Sequence, residues 1–265
     1  MHGTGVLAID KKGNSQMAKI GGPPHQLVTT EAYRSLESFV NVRDCRFLVG
    51  HNRFATKGKK ITDHAHPFRH GNIILVHNGT LNNFKHFPEH PDKKIVVDSE
   101  HLAYAIDKLG IEAAIKDLVG AWTIVYWHRF DKTLNILRND QRPLYLATIG
   151  EDSFAFASEE PMLKWVLKRN HFLGVKIEEV PQDTLFSFSL SDPEPKLTEV
   201  KGRAFPKKSK EKLRKEFASL YKDDFIDVSG TNERVTEIID IKPSEKQTII
   251  PSASAHRAPT GKVAL

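Results

Sequence analysis

The chain has 265 residues, of which 39% are hydrophobic and 27% are charged, and its formal net charge is +6. This composition is typical of a soluble globular protein with a core, and we expect a cytoplasmic location. No apolar run approaches about 18 residues and the only cysteine is Cys45, so we expect neither a membrane span nor an internal disulfide framework.

The first half of the chain alternates between the patterns of strands and helices. The segment GVLAID predicts a short strand, and TTEAYRSLESFV predicts a helix whose apolar residues share one face and whose start Thr29 or Thr30 can cap. Strands are predicted over residues 46–50 and 72–77. Two helices are predicted after them, the first from the spacing of apolar residues over 102–109 and the second over 111–118.

After Gly120 the pattern changes to short strands rich in aromatic and β-branched residues, which read AWTIVYW, TLNILR, PLYLAT and SFAFASE. EEPMLKWVLKR predicts a helix, and TLFSFSL predicts a last alternating strand. Two blocks of strands, with helices between and after them, favour a layered α+β fold with antiparallel sheet.

The composition changes again beyond about residue 193. We predict a folded domain over residues 1–192, a basic linker with an amphipathic helix over 193–228, and a disordered tail over 229–265. The basic run over 201–217 is typical of a solvated helix face or a flexible arm, so a nucleic acid partner is not expected. The alternative, a nucleic-acid binder acting through this run, predicts salt-dependent binding that is lost when residues 201–265 are deleted.

Four polar clusters interrupt the apolar segments, and three of them stand at the exit of a strand. They read GHNRFATKG, HAHPF, VHNGTLNN and VVDSE. Arg and Asp at strand exits can hold the carboxylate and the ammonium group of an amino acid. An Asn-Gly pair offers a side-chain amide and a backbone N–H together, which is the donor set of an oxyanion hole for acyl transfer.

The order of these motifs, followed by GAWTIVYW, NDQRPLYLA and FASE, resembles the class II glutamine amidotransferases. Relatives in that family include the glutaminase domains of glucosamine-6-phosphate synthase and amidophosphoribosyltransferase. The resemblance covers roughly residues 3–188. It implies the fold of the N-terminal-nucleophile (Ntn) hydrolases, an αββα sandwich of two antiparallel sheets that is incomplete at the N-terminus of this chain.

The resemblance also implies roles for individual residues. Arg53, with Thr56 close by, would bind the α-carboxylate of glutamine, and Asp98 would bind its α-ammonium group. Asn78 and Gly79 would form the oxyanion hole, while His77 would support the loop beside the substrate. No cofactor or metal is expected, and the expected partners are glutamine and a separate acceptor or synthase subunit.

The nucleophile of the family is a cysteine at the mature N-terminus, whose own α-amine acts as the base. This chain begins Met1-His2-Gly3, and the strand that carries that cysteine is expected to be absent. We do not expect Cys45 to replace it, because its nitrogen lies within a peptide bond. A shortened gene product, completion by another polypeptide and an inactive descendant all remain open.

Two functions therefore follow from the sequence. The first is a glutaminase that hydrolyses glutamine to glutamate and ammonia for transfer to an acceptor. The alternative is a catalytically inactive glutamine-binding or scaffold module.

Individual residues also have simpler interpretations: Asn78-Gly79 alone is typical of a turn, and Asp98 can simply cap a helix. The crowded histidines suggest a metal site less strongly, because the usual carboxylate or thiolate partners are not evident.

Overall fold

A computed structural model of the protein describes residues 2–54, 59–83, 86–116, 118–150, 153–190 and 196–199. The strands found in these residues are β1 Gly3–Asp10, β2 Ser15–Ile20, β3 Cys45–Arg53, β4 Phe68–His70, β5 Ile73–Asn83, β6 Val119–His128, β7 Thr133–Arg138, β8 Tyr145–Ile149, β9 Ser153–Ala157, β10 Ile177–Glu179, β11 Thr184–Ser189 and β12 Lys196–Glu199. The α-helices found there are α1 Pro24–Leu27, α2 Glu31–Val42, α3 Asp98–Leu109, α4 Ile111–Ile115 and α5 Glu160–Arg169.

The strands form three sheets. The largest has the order β12-β11-β7-β6-β5-β4, and the two smaller sheets have the orders β2-β1-β3 and β10-β8-β9. Every strand pairing within them is antiparallel. Because antiparallel sheets commonly cover a core with one face only, each of these sheets can pack on another layer.

One apolar core joins the sheets into two facing layers. The six-stranded sheet contributes buried residues such as Val125, Trp127 and Ile136, while β1 contributes Leu7 and Ile9. Side chains of the sheet β10-β8-β9 pack against the same core, among them Leu146, Phe154 and Phe156. The two small sheets therefore lie on the same face of the large sheet.

Helices cover the outer faces of both layers. Helix α2 packs against β1 and β2, α5 against β8 and β9, and α3 against β4 and β5. The apolar face predicted for α2 packs on this layer through Leu36, Phe39 and Val40, and Thr30 accepts a hydrogen bond from the backbone N–H of Tyr33. The result is an αββα sandwich, in agreement with the α+β class predicted from the sequence.

Strand β5 differs from the sequence-based prediction in one respect that affects the site. The sequence predicted a strand over 72–77 that ends before the Asn78-Gly79 pair. Instead β5 runs on to Asn83, and Asn78 and Gly79 lie opposite Thr123 and Trp122 of β6. Beyond Leu75 no described strand pairs with the other edge of β5, so this edge faces the site.

The domain boundaries predicted from composition remain predictions. Strand β12 pairs with β11 and lies within the segment 193–228 that was expected to be a basic linker. The remainder of that segment and the tail over 229–265 fall outside the described residues.

Candidate functional site

The predicted site residues that the structure describes lie around one cavity of about 230 Å³. Strand β3 brings Arg53 to it, β5 brings His77, Asn78 and Gly79, and the first turn of α3 brings Asp98. These residues are separated by up to 45 positions in sequence and meet because β3, β5 and the start of α3 converge at this end of the sandwich. Thr56, the remaining predicted residue, falls outside the described residues.

Arg53 and Asp98 place opposite charges in the same cavity, and each residue is only 5% exposed. Burial lowers the pKa of Arg53, and the nearby Asp98 carboxylate acts in the opposite direction. The Arg53 guanidinium donates to the backbone oxygen of Lys59 at 3.3 Å. A guanidinium and a carboxylate lining one cavity can together take up a zwitterion.

The Asp98 carboxylate is fixed by backbone donors. Its Oδ2 accepts from the N–H of Leu81 on β5 at 2.9 Å, and its Oδ1 accepts from the N–H of Ser99 at 2.9 Å. Asp98 is the first residue of α3 and Val97 is its N-cap, so the helix-capping role that the sequence alone allowed for Asp98 is not observed. Two carboxylate oxygens have about four acceptor positions, so both bonds leave room for a ligand ammonium group.

His77 is buried beneath the cavity and paired with the helix. Its Nδ1 lies 2.8 Å from the hydroxyl oxygen of Ser99, the residue that follows Asp98. Burial lowers the pKa of the His77 imidazole, although the Asp98 charge acts against this. A neutral ring that is held by Ser99 fits the supporting position that the sequence predicted for His77.

Gly79 allows two backbones to approach closely at the cavity. Its φ is +146°, and a Cβ at this position would lie 1.8 Å from the backbone oxygen of Ala121 on β6. Only glycine fits such a contact. Asn78 and Gly79 both line the wall of the cavity.

The cavity also includes residues to which the sequence-based prediction gave no place in the site. They are His51, Asn52, Phe54, His66, Thr80, Ser99 and Arg142. Most of them lie beside a predicted residue in the polar motifs, so they were within reach of sequence reasoning. Arg142 is different, because it comes from the turn after β7, and only its place in the motif NDQRPLYLA marked it.

Three histidines of this region carry buried ring nitrogens without hydrogen-bond partners among the described residues. His51 Nδ1, both ring nitrogens of His66 and His77 Nε2 make no hydrogen bond within the part of the chain that the structure describes. The rings of His51 and His66 lie 4.0 Å apart between centroids. Burial lowers the pKa of His51 to about 4 and places that of His66 well below its ordinary value. These rings are therefore neutral near pH 7.

We expect the free energy of unfolding to decrease as the pH is lowered from about 6.5 to about 4. In this range His51 takes up a proton in the unfolded chain but stays neutral in the folded chain, so protons favour unfolding. Urea unfolding at pH 7 and pH 5 measures the difference. The difference in unfolding free energy between the two pH values should be smaller in His51→Gln. It should be unchanged in His25→Gln, which replaces an exposed histidine on α1. Equal stability at both pH values would contradict the expectation.

The histidines do not form an evident metal site. In residues 2–54, 59–83 and the other described ranges, no three His, Cys, Asp or Glu side chains are grouped so that they can hold a metal ion.

No helix in the same ranges is long and apolar enough to cross a membrane.

Cys45 lies at the opposite end of β3 from Arg53. Eight residue-to-residue steps of extended strand separate the two by roughly 27 Å. The Cys45 thiol donates to the backbone oxygen of Phe47 at 3.5 Å, and burial raises its pKa. The thiol is therefore remote from the cavity and largely un-ionised, which agrees with the expectation that Cys45 is not the nucleophile.

Comparison with solved structures identifies the fold. The glutamine phosphoribosylpyrophosphate amidotransferase of B. subtilis matches with a TM-score of 0.56 and 21% sequence identity, covering 76% of this chain and 44% of that chain. The sandwich therefore has the fold of the Ntn-type glutamine amidotransferases.

The family model described as the glutamine amidotransferase domain matches residues 34–201, and the chain belongs to that family. The glutamine–fructose-6-phosphate aminotransferase (isomerizing) of Sulfurisphaera tokodaii is 26% identical over 215 residues, which are 75% of this chain and 34% of that protein. The enzyme of the same name from Thermococcus kodakarensis is 35% identical over 131 residues, which are 43% of this chain and 21% of that protein. The chain thus spans about a third or less of the length of these relatives.

Proposed function

We propose that the cavity binds free glutamine. Arg53 holds the α-carboxylate, Asp98 holds the α-ammonium group, and the side-chain amide of the substrate lies against Asn78 and Gly79. The observation that carries this proposal is the burial of two opposite charges, each 5% exposed, in one cavity with a pair of neutral donors. Free glutamine carries one negative and one positive charge, which match Arg53 and Asp98. Charge-assisted hydrogen bonds to these two residues favour glutamine over an amide compound that carries no charges.

The donor pair suits hydrolysis of the glutamine side chain. A thiolate from another polypeptide adds to the amide carbon, and the carbonyl oxygen becomes an oxyanion that accepts from the Asn78 amide and the Gly79 N–H. Collapse of the intermediate, with a proton delivered to nitrogen, releases ammonia and leaves a thioester, which water converts to glutamate. One oxyanion donor is typically worth about 2.7–4 kcal/mol of transition-state stabilisation.

The position of Cys45 supports a second candidate function, a glutamine-binding module without turnover. Cys45 is the only cysteine in the sequence and lies at the far end of β3 from Arg53. Ammonia release therefore needs a nucleophile other than Cys45. Both candidates use the same recognition residues and differ only in the fate of the bound glutamine.

The acceptor for ammonia is proposed to be handled by a different domain or subunit. The relatives named above are glutamine–fructose-6-phosphate aminotransferases that are about three times as long as the matched region or longer. Their names suggest a phosphorylated sugar as one acceptor class for a partner of this domain. Within the domain itself, the proposed substrate is glutamine alone.

Calorimetric titration with glutamine, run beside an assay of ammonia release, tests the proposal. We expect saturable glutamine binding that is stronger than binding of glutamate, because the glutamate side chain brings a second negative charge to the donor pair. Binding without ammonia release would select the module. Ammonia release would support the hydrolase, its loss in Cys45→Ala would show that Cys45 is the nucleophile, and failure of glutamine to bind would overturn both candidates.

A further inference from the structure

A second cavity, of about 400 Å³, lies behind the turn at His66 and shares no lining residue with the glutamine cavity. Strand β2, the start of β4, the segment before α3 and the first turn of α3 surround it. We call it the basic cleft, because its charged lining residues are Lys19, Asp63, Arg69, Lys93, Lys94 and Glu100. Four cations and two acids leave a net charge of +2 when histidine is neutral.

Within the basic cleft, Glu100 already has its own partners. Its Oε1 lies 2.5 Å from the Lys93 ammonium and 3.3 Å from the His70 ring. Burial raises the pKa of Glu100, but hydrogen bonds from His70 and Lys93 outweigh this and lower it to about 2. The acid therefore stays ionised and pairs with Lys93. Glu100 and Asp63 both also act on Lys19, so the excess positive charge of the cleft is carried by Arg69 and Lys94.

Lys19 is a partly buried cation on the wall of the basic cleft. Its ammonium group donates to the backbone oxygens of Ala65 at 2.9 Å and Pro67 at 3.1 Å and lies 5.1 Å from the centre of the Phe68 ring. Burial lowers the pKa of Lys19. An ammonium group has three donors, so one remains for a ligand after these two bonds. An anion in the cleft would compensate for the solvation that the charge has lost.

Arg69 and Lys94 add exposed positive charge at the mouth of the basic cleft. Neither makes an ion pair with another residue in the part of the chain described by the structure. Their donors are therefore available to a ligand without breaking an existing contact in these residues.

We propose that the basic cleft binds the phosphate group of a small phosphorylated molecule. A phosphate monoester carries a charge of about −1.5 to −2 near pH 7 and offers three acceptor oxygens. The net +2 charge of the cleft matches the dianion, the planar Arg69 fork suits two phosphate oxygens, and the lysines supply point charges. Asp63 at the same cavity disfavours a long polyanion, whose next phosphate would meet it.

Titration calorimetry of the full chain at constant ionic strength tests the cleft with inorganic phosphate, glucose 6-phosphate and glucose. We expect saturable binding of one phosphate-bearing probe per chain and none of glucose. Tighter binding of glucose 6-phosphate would identify an organic phosphate as the ligand. Equal binding of the two phosphate probes would show that the phosphate group alone is recognised.

The double variant Arg69→Gln/Lys94→Gln should weaken this binding at least about tenfold, since charge-assisted hydrogen bonds are lost. A double variant with the same change in charge, Lys12→Gln/Arg34→Gln, alters exposed residues outside the cleft and should bind as the unmodified chain does. Absence of saturable phosphate binding, or equal weakening in both double variants, would overturn the proposal. Because glutamine is not used, the result is independent of the proposed glutamine site.

Discussion

Replacing Arg53 by glutamine is expected to weaken glutamine binding about 100-fold or more, because it removes at least two charge-assisted hydrogen bonds of the α-carboxylate. The effect is large because Arg53 is only 5% exposed and water cannot replace the lost donors easily. The substitution also leaves the buried Asp98 carboxylate without the opposing charge beside it. Titration calorimetry with glutamine at pH 7 measures the change.

The matched control for this experiment is Arg46→Gln on the same strand. The Arg46 side chain is 47% exposed, lies outside the cavity and is 3.7 Å from the Asp44 carboxylate at the strand's other end. Glutamine affinity should not change in this variant, because exposed ion pairs contribute little to stability. The assignment of the cavity to glutamine fails if Arg53→Gln binds as tightly as Arg46→Gln while both variants stay folded.

The sequence predicted those elements whose pattern is set by burial on one face. Helix α2 is an example, because its apolar spacing and its Thr30 cap are local properties of the chain. Strand β2 was missed, since SQMAKI buries only Ala18 and its other side chains are partly exposed at a sheet edge. Strand β10 has no buried residue at all, so it had no apolar pattern to detect.

The site residues were likewise predicted in part and missed in part. Arg53 and Asp98 were predicted to face one amino acid, and the structure brings both to one cavity with Asn78 and Gly79. What the sequence could not give was the path of β5. A local Asn-Gly pair predicts a turn, whereas pairing with β6 on one edge keeps the strand extended through it. The contribution of Arg142 is likewise set by the packing of β6 and β7, which no local pattern encodes.

The turn at residues 65–67 contributes to both cavities. The backbone oxygens of Ala65 and Pro67 bind Lys19 of the basic cleft, while the ring of His66 between them lines the glutamine cavity. Asp98 and Glu100, two residues apart on α3, are divided between the cavities in the same way. The sequence motifs HAHPF and VVDSE thus each supply residues to both.

Replacing Gly79 by alanine is expected to destabilise the fold by roughly 2–6 kcal/mol, the sum of backbone strain and overpacking. The φ of +146° is unfavourable for any side chain, and the new Cβ would lie 1.8 Å from the Ala121 backbone oxygen. That oxygen belongs to β6, so the clash can be relieved only by moving one of the two paired strands. Urea unfolding followed by circular dichroism measures the loss.

Gly50→Ala provides the comparison, because Gly50 also lies in a strand but an added Cβ there would have no atom within 4 Å. Its effect should stay within about 0.5 kcal/mol, as for most surface substitutions. If Gly79→Ala were as stable as Gly50→Ala, the strands β5 and β6 could not be as close at Gly79 as described. The backbone N–H of Gly79 would then lose the fixed position beside Asn78 on which its proposed role as an oxyanion donor depends.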